Sequence, residues 1–202
     1  MNRVYVGATS AVLAVAIGGA AVWTTLNQEN ACGGNAIAGG NVAIGGPFEL
    51  LNGDGMLVTD RDVIDGPTLV YFGYTFCPDV CPFDVARNVI AVDILAEQGL
   101  DVTPVFISID PERDTPEVVA QYAADMHPKM IGLTGSPEQI KAASQAYKTY
   151  YARGTGEGEF YLMDHSTFTY LMLPNTGLAS YFGRDVQPEE MAEQTACHIA
   201  AN

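Results

Sequence analysis

Positive charge is scarce in this sequence. Of 202 residues, nine are Lys or Arg against 24 Asp or Glu, and the formal net charge is −15. Arg3 is the only charged residue before Glu29, so the chain beyond it holds eight basic and 24 acidic residues. A surface of that sign repels phosphate backbones and anionic lipid heads, which excludes nucleic acid as a partner. Histidine is rarer still, with three residues, and tryptophan occurs once. Cysteine occurs four times, at Cys32, Cys77, Cys81 and Cys197. If all four are oxidised, three full pairings exist.

The longest stretch without charge is N-terminal. Residues 4–26 carry none, and about 20 apolar residues cross a bilayer core as a helix. Trp23 sits near the outer end, where an amphipathic ring favours the interface. Arg3 and the free amine stay on the cytoplasmic side, which places everything after residue 27 outside. The stretch is too long for the core of an ordinary signal peptide, although Gly19, Ala20 and Ala21 are small enough for a peptidase. Glu29, Asn30 and Ala31 do not resemble a lipidation site before Cys32. The expectation is an uncleaved anchor over residues 1–27, with the remainder in an oxidising compartment where disulfides persist.

Residues 33–46 read GGNAIAGGNVAIGG, with six glycines in fourteen positions and no charge. Residues 28–46 therefore read as a flexible tether, and residues 47–202 as one domain of sufficient length for its own core. Within it a hairpin is expected at 48–51 and 56–59, turning at 52–55. Residues 68–72 (TLVYF) and 103–109 are continuous apolar runs, as in strands covered on both faces. A helix starts at Pro82 and ends near Gln98, before Gly99. Thr115 caps a helix over 116–126, and Ser136 caps another to about Tyr147. Residues 131–133 form a short strand. Residues 167–173 and 178–182 form a late hairpin, and residues 188–200 a last helix with Glu189 and Glu190 at its positive end. Strands alternating with helices, then a hairpin, give an α/β fold with a mixed sheet flanked by helices. That is the thioredoxin-like plan with insertions.

The strongest local signal is YFGYTFCPDVCP, residues 71–82. A buried strand ends, a loop follows, and Cys77 and Cys81 stand at the start of a helix. Ligand sites of open α/β sheets cluster outside the strands' carboxyl ends, and a helix N-terminus favours thiolate over thiol. Four-residue spacing puts both sulfurs on one helical face once the first turn forms. The pair can then close a disulfide or chelate a soft ion. Three residues, Pro78, Asp79 and Val80, separate the cysteines, where thioredoxin has two. Asp79 opposes thiolate formation, and a bound cation would offset that. An inert disulfide across so short a ring would stabilise little. The motif alone leaves redox chemistry and metal binding open. The Thr-x-x-Cys context of a peroxiredoxin nucleophile is missing: Tyr74 holds that place.

A third donor must come from elsewhere. His127 precedes Pro128 in a loop and reads as surface. His198 follows Cys197 on the last helix and reads as exposed. His165, in YLMDHSTFTYLML, directly precedes a buried strand, where thioredoxins carry a cis-proline facing the cysteines. There it can face Cys77 and Cys81, and spacing alone weighs ligand and structural roles equally. Asp164 either orients the ring or solvates a turn.

Four segments occur in order: YFGYTFCPDVCP (71–82), VFISIDPERDTPEVV (105–119), GLTG (132–135) and MDHSTFTYLM (163–172). In these, over roughly residues 47–185, the chain resembles the Sco/SenC family of copper-binding proteins. The resemblance implies copper ligands at Cys77, Cys81 and His165. It implies a role in assembling the binuclear CuA centre in subunit II of cytochrome c oxidase, by delivering copper or by keeping that subunit's cysteines reduced. The implied partners are subunit II or another copper-site apoprotein, and a copper donor. With the anchor, it implies a single-pass protein of the bacterial inner membrane whose domain lies in the periplasm. Two alternatives remain: a thiol-disulfide oxidoreductase with Cys77 and Cys81 as its redox-active pair, and a copper or redox sensor. The family loop at 110–116 reads as a rigid turn plus helix cap.

The donor set suits copper. Thiolates select Cu(I), while imidazole accepts Cu(I) or Cu(II). Three donors leave an open position for a partner's ligand, whereas zinc asks for a fourth. Binding needs both thiols reduced, so a disulfide excludes the metal, and the reduced pair can attack a target disulfide. Cys32 and Cys197 lie outside the family pattern. Paired, they would close a loop of about 166 residues, stabilising by up to roughly 5 kcal/mol and pinning the tether to the last helix. A second copper site with His198, or free or intermolecular thiols, are the other readings.

Overall fold

Residues 68–73 and 103–108 carry no charge, and 69–72 and 104–107 are apolar throughout, so both faces of these strands favour burial. In the computed structural model, which describes residues 32–33, 44–158 and 160–202, they form the centre of a five-stranded sheet. Strand β3 (Thr68–Gly73) is buried throughout, and β4 (Thr103–Ser108) runs parallel to it from Thr68↔Thr103 to Gly73↔Ser108. β5 (Ile131–Leu133) adds in parallel on one side. β8 (Thr169–Leu173) and β9 (Gly177–Phe182) add antiparallel on the other, giving the order β5-β4-β3-β8-β9. This is the mixed sheet expected from the sequence.

Alternation along the strands sorts the core into two layers. Leu69, Tyr71 and Phe106 meet α2 (Val80–Glu97), α3 (Pro116–Met126) and α5 (Pro188–Ala200). On that side Leu69, Leu171 and Phe182 pack with Leu95 and Met191, and the Phe106 ring lies 4.7 Å from that of Tyr122. Val70 and Phe72 face the opposite way, where Phe72 meets Tyr147 of α4 (Pro137–Tyr147) at 5.2 Å. The same layer holds Phe48 and Leu50 from the hairpin of β1 (Glu49–Leu51) and β2 (Leu57–Thr59). Each fully buried side chain of this size contributes about 1.5–3 kcal/mol. A Cβ at Gly132 would stand 2.4 Å from the Val119 carbonyl oxygen, so only glycine lets α3 lie this close to β5.

The capping residues read from sequence are in place. Thr115 Oγ1 accepts from the Val118 amide at 3.4 Å, and Ser136 Oγ from that of Gln139 at 3.3 Å. Three features differ from expectation. A one-turn helix, α1 (Asp60–Val63), follows β2. Helix α2 starts at Val80, two residues before Pro82; proline is tolerated there because first-turn amides have no intrahelical acceptor. Residues 151–165, to which the sequence assigned no element, form a separate ribbon of β6 (Tyr151–Glu157) and β7 (Phe160–His165).

The anchor expected over residues 1–27 and most of the tether lie outside the described residues. Among the described residues no helix is long and apolar enough to cross a membrane. Cys32 is disulfide-bonded to Cys197 on α5, which selects the structural pairing among the readings left open by the sequence. At the other end of the glycine-rich stretch, the Gly45 amide donates to the Ala146 carbonyl at 3.0 Å.

Candidate metal centre

Cys77 lies just before α2, in a turn closed by its amide donating to the Tyr74 carbonyl at 3.2 Å. Cys81 lies within the first turn of the helix, and its amide donates to Cys77 Sγ at 3.4 Å. The helix therefore offers one of its unpaired N-terminal amides to the outer sulfur. Gly73, the last residue of β3, makes room for this: a Cβ there would come within 3.1 Å of Cys81 Sγ and 2.9 Å of the Tyr71 and Phe106 rings. Both thiols are free, and both are buried, Cys81 completely.

His165 ends β7 and reaches the same place from the ribbon. Its Nε2 lies 3.3 Å from Cys81 Sγ, while Nδ1 donates to the Ser166 carbonyl at 2.8 Å. With Nδ1 carrying the proton, Nε2 presents its lone pair to the sulfur, as a metal-binding histidine does. The ring stands edge-on to Tyr71 and Tyr74, with centroids 6.3 and 5.9 Å away. Of the two roles weighed for Asp164, orienting the ring is filled instead by Ser166; Asp164 faces solvent on β7. The other histidines are elsewhere. His127 caps α3 and pairs with Asp93 at 3.3 Å. His198 is half-buried on α5, which corrects its expected exposure.

The electrostatics differ between the two sulfurs. Burial works to raise the Cys77 thiol, but amides of Cys81 and Asp79 and hydrogen bonds from the Cys81 and Tyr74 side chains outweigh it and hold the thiol below its ordinary value. Asp79 thus acts on Cys77 through its backbone amide. Burial pushes Cys81 well up, and the neighbouring Cys77 adds to that. Burial lowers His165, against opposing pulls from the Ser166 carbonyl and from Asp84 and Asp164, so its ring favours the neutral form. Beneath Cys81, Tyr71 donates to the buried Asp84 at 2.9 Å, and Arg184 pairs with the same carboxylate at 3.2 Å.

The sequence reading gave the 110–116 loop no chemistry beyond a turn and cap. In the structure its two aspartates reach both halves of the site. Asp114 accepts from the Thr75 amide at 3.0 Å, and from the Thr75 and Ser108 hydroxyls at 2.5 Å each, which fixes the cysteine loop. Asp110 accepts from Tyr161 of β7 at 2.5 Å and pairs with Arg113 at 2.5 Å. The spacing of the two aspartates in DPERD was the available signal, but their partners Thr75 and Tyr161 lie 39 and 51 residues away.

The sulfurs of Cys77 and Cys81 and the ring nitrogen of His165 all lie within 4.8 Å of one another. A three-coordinate ion with bonds of about 2.0–2.3 Å holds its donors roughly 3.5–4 Å apart. The donors therefore need only small shifts to close on one ion. The set is soft, with two sulfurs and one imidazole, and fits a thiophilic metal.

The family model described as SCO1/SenC matches residues 38–200. The chain belongs to the SCO1/SenC family. Among SCO1/SenC relatives, protein SenC of Rhodobacter capsulatus is 49% identical over 198 residues, covering 96% of this chain and 89% of its own. Arabidopsis thaliana ScoI, solved with copper bound, superposes with a TM-score of 0.76 at 42% identity, over 79% of this chain and 100% of its own. Bradyrhizobium japonicum ScoI, also solved with copper bound, has a TM-score of 0.70 at 36% identity, over 77% of this chain and 99% of its own.

Proposed function

We propose that this chain binds copper through Cys77 Sγ, Cys81 Sγ and His165 Nε2 and passes it to a copper-site apoprotein, the CuA subunit of cytochrome c oxidase. One observation carries the reading: the three donors converge within 4.8 Å in a fold whose relatives have been solved holding copper. Two thiolates stabilise Cu(I), and the neutral imidazole serves either oxidation state. Three donors leave a position at which an acceptor's ligand can enter, so the metal can move by ligand exchange. We place the domain in the periplasm, held to the bacterial inner membrane by residues 1–27. That placement rests on the uncharged stretch at 4–26 and on Arg3.

A second reading is favoured by the asymmetry of the sulfurs. Cys77 is the more ionised and Cys81 the more buried, as in a pair where one thiolate attacks a target disulfide and the other resolves the mixed disulfide. In that step the Cys77 thiolate bonds to one target sulfur and expels the other; Cys81 then attacks Cys77 Sγ and expels the first, so the target gains two electrons as two thiols and this chain is left with a Cys77–Cys81 disulfide. The same oxidation excludes metal. A sensor acting through a membrane partner is the third reading.

Anaerobic titration of the reduced full chain with Cu(I), against a competing chelator, tests the first reading. His165→Ala should weaken binding by roughly tenfold or more, the size of loss that even ligand-orienting groups produce. Unchanged affinity in that variant, with disulfide reduction abolished, assigns the site to thiol exchange instead.

A further inference from the structure

His165 is carried by a ribbon that is not hydrogen-bonded to the central sheet. A two-stranded ribbon is marginally stable by itself, and much of this one faces solvent, with Phe160 and Leu162 exposed. The position of Nε2 relative to the sulfurs therefore depends on how the ribbon is fastened. Along β7, Tyr161, Met163 and His165 point inward while Phe160, Leu162 and Asp164 point out. Tyr161 is buried, and its hydroxyl donates to Asp110 Oδ1 at 2.5 Å. The second oxygen of Asp110 holds Arg113 Nε. The guanidinium carbon of Arg113 then lies 3.6 Å from the Tyr161 ring centroid and 4.8 Å from that of Phe76, the residue before Cys77. Arg153 of β6 covers the same tyrosine at 3.7 Å.

Asp110 is itself immobilised. Its carbonyl accepts from the amides of Arg113 and Asp114 at 3.2 and 2.9 Å, and its amide donates to Ser108 Oγ at 3.1 Å. One rigid turn thus grips the histidine ribbon through Asp110 and the cysteine loop through Asp114.

We infer that Asp110, Arg113 and Tyr161 form a clamp that sets the reach of His165 to Cys77 and Cys81, and so decides whether the pair has its third donor. This rests on the copper reading above. The three are positioning residues. With the clamp closed the site offers two sulfurs and an imidazole; with it loosened it offers the sulfurs alone, which suffices for thiol exchange but binds metal less well.

Tyr161→Phe tests this with little disturbance, since it keeps the ring under both arginines and removes only the hydroxyl. Expected are a drop in Cu(I) affinity of about tenfold, a changed thiolate-to-Cu(II) charge-transfer band, and an unchanged potential for the Cys77–Cys81 disulfide. In a His165→Ala background the same substitution should cause no further loss. Asp110→Asn, which keeps an acceptor but removes the charge facing Arg113, should fall between wild type and Tyr161→Phe. Wild-type affinity in Tyr161→Phe, or an equal loss without His165, overturns the clamp. Amide exchange of the metal-free full chain gives a reading independent of copper. Faster exchange at residues 160–165 in Tyr161→Phe supports the clamp, and unchanged exchange overturns it. If wild type takes up no copper, the site assignment fails while this exchange comparison still judges the clamp.

Discussion

His165 Nε2 stands 3.3 Å from Cys81 Sγ across 84 positions of sequence. The ring's one proton stays on Nδ1, which donates to the Ser166 carbonyl, so Nε2 faces the sulfur as an acceptor and the Cys81 thiol donates to it. The ring is thus ready to bind metal without losing a proton, and burial lowers its pKa below the ordinary value. Protons released on metal binding come from the sulfurs, and those two differ.

Cys77 should be the thiol that reacts. Its pKa is held below the ordinary value, so its thiolate accumulates at lower pH than that of a free cysteine. Alkylation of the reduced protein by iodoacetamide should rise with pH and level off through this lowered pKa. Cys81, fully buried and pushed up, should stay unmodified while the fold is intact. Mass spectrometry of time courses on either side of neutral pH reads both sites. Labelling of Cys81 ahead of Cys77 would contradict the assignment.

The reach of sequence reading can be judged from particular elements. The buried runs read at 68–72 and 103–109, the caps Thr115 and Ser136, and the cysteine pair at a helix start are local signals, and all were legible. The ribbon was not. YARGTGE (β6) contains two glycines and mostly faces solvent, so it carries no apolar alternation. What holds it is Asp110 on Tyr161, with Arg113 and Arg153 against that ring, contacts that periodicity does not encode. His165 was accordingly legible as a residue before a strand, while its approach to the sulfurs depended on tertiary structure. The two aspartates of DPERD read as a turn for the same reason.

Gly73→Ala should disturb the site from the sheet side. The added methyl would lie 2.9 Å from two aromatic rings and 3.1 Å from Cys81 Sγ. None of these neighbours is a free end that can swing away. Overpacking of this kind destabilises by about 1–3 kcal/mol, and here it also displaces a sulfur. Both the denaturant midpoint and the copper affinity should fall. Gly66→Ala, with no atom within 4 Å of the new methyl, is the control and should move stability by less than about 0.5 kcal/mol.

Asp114 links stability to pH. Burial raises its pKa and prevails over hydrogen bonds from Ser108 and Thr75. A carboxyl whose folded pKa exceeds its unfolded value takes up a proton on folding, so its contribution is greatest below the unfolded pKa and is lost as pH rises through the folded one. Asp114→Asn removes that titration and keeps an acceptor for the Thr75 amide. Its stability relative to wild type should therefore improve from mildly acidic to neutral pH. Asp114→Ala instead strands the Thr75 amide and the Ser108 hydroxyl, at about 1–3 kcal/mol for a buried group left unpaired. Urea unfolding at the two pH values separates the variants; parallel curves for wild type and Asp114→Asn would refute the linkage.

The Cys32–Cys197 bond joins the start of the glycine-rich stretch to the last helix. Its cysteines are 165 positions apart, so in the unfolded state it closes nearly the whole domain into a ring. The chain-entropy model gives up to about 5 kcal/mol for a loop of this length, and removal of native disulfides typically destabilises by about 2–5 kcal/mol. A Cys32→Ser/Cys197→Ser double variant should unfold at lower denaturant by an amount in that range. It should leave copper binding intact, because Cys77, Cys81 and His165 sit on α2 and β7 and are held by Asp110 and Asp114, none of which the bond touches. Thiol titration of the native, metal-free, reduced-site protein should count the same free cysteines in the double variant as in wild type. A loss of copper affinity in the variant would mean that the bond also shapes the site, through the packing of α5 against α2.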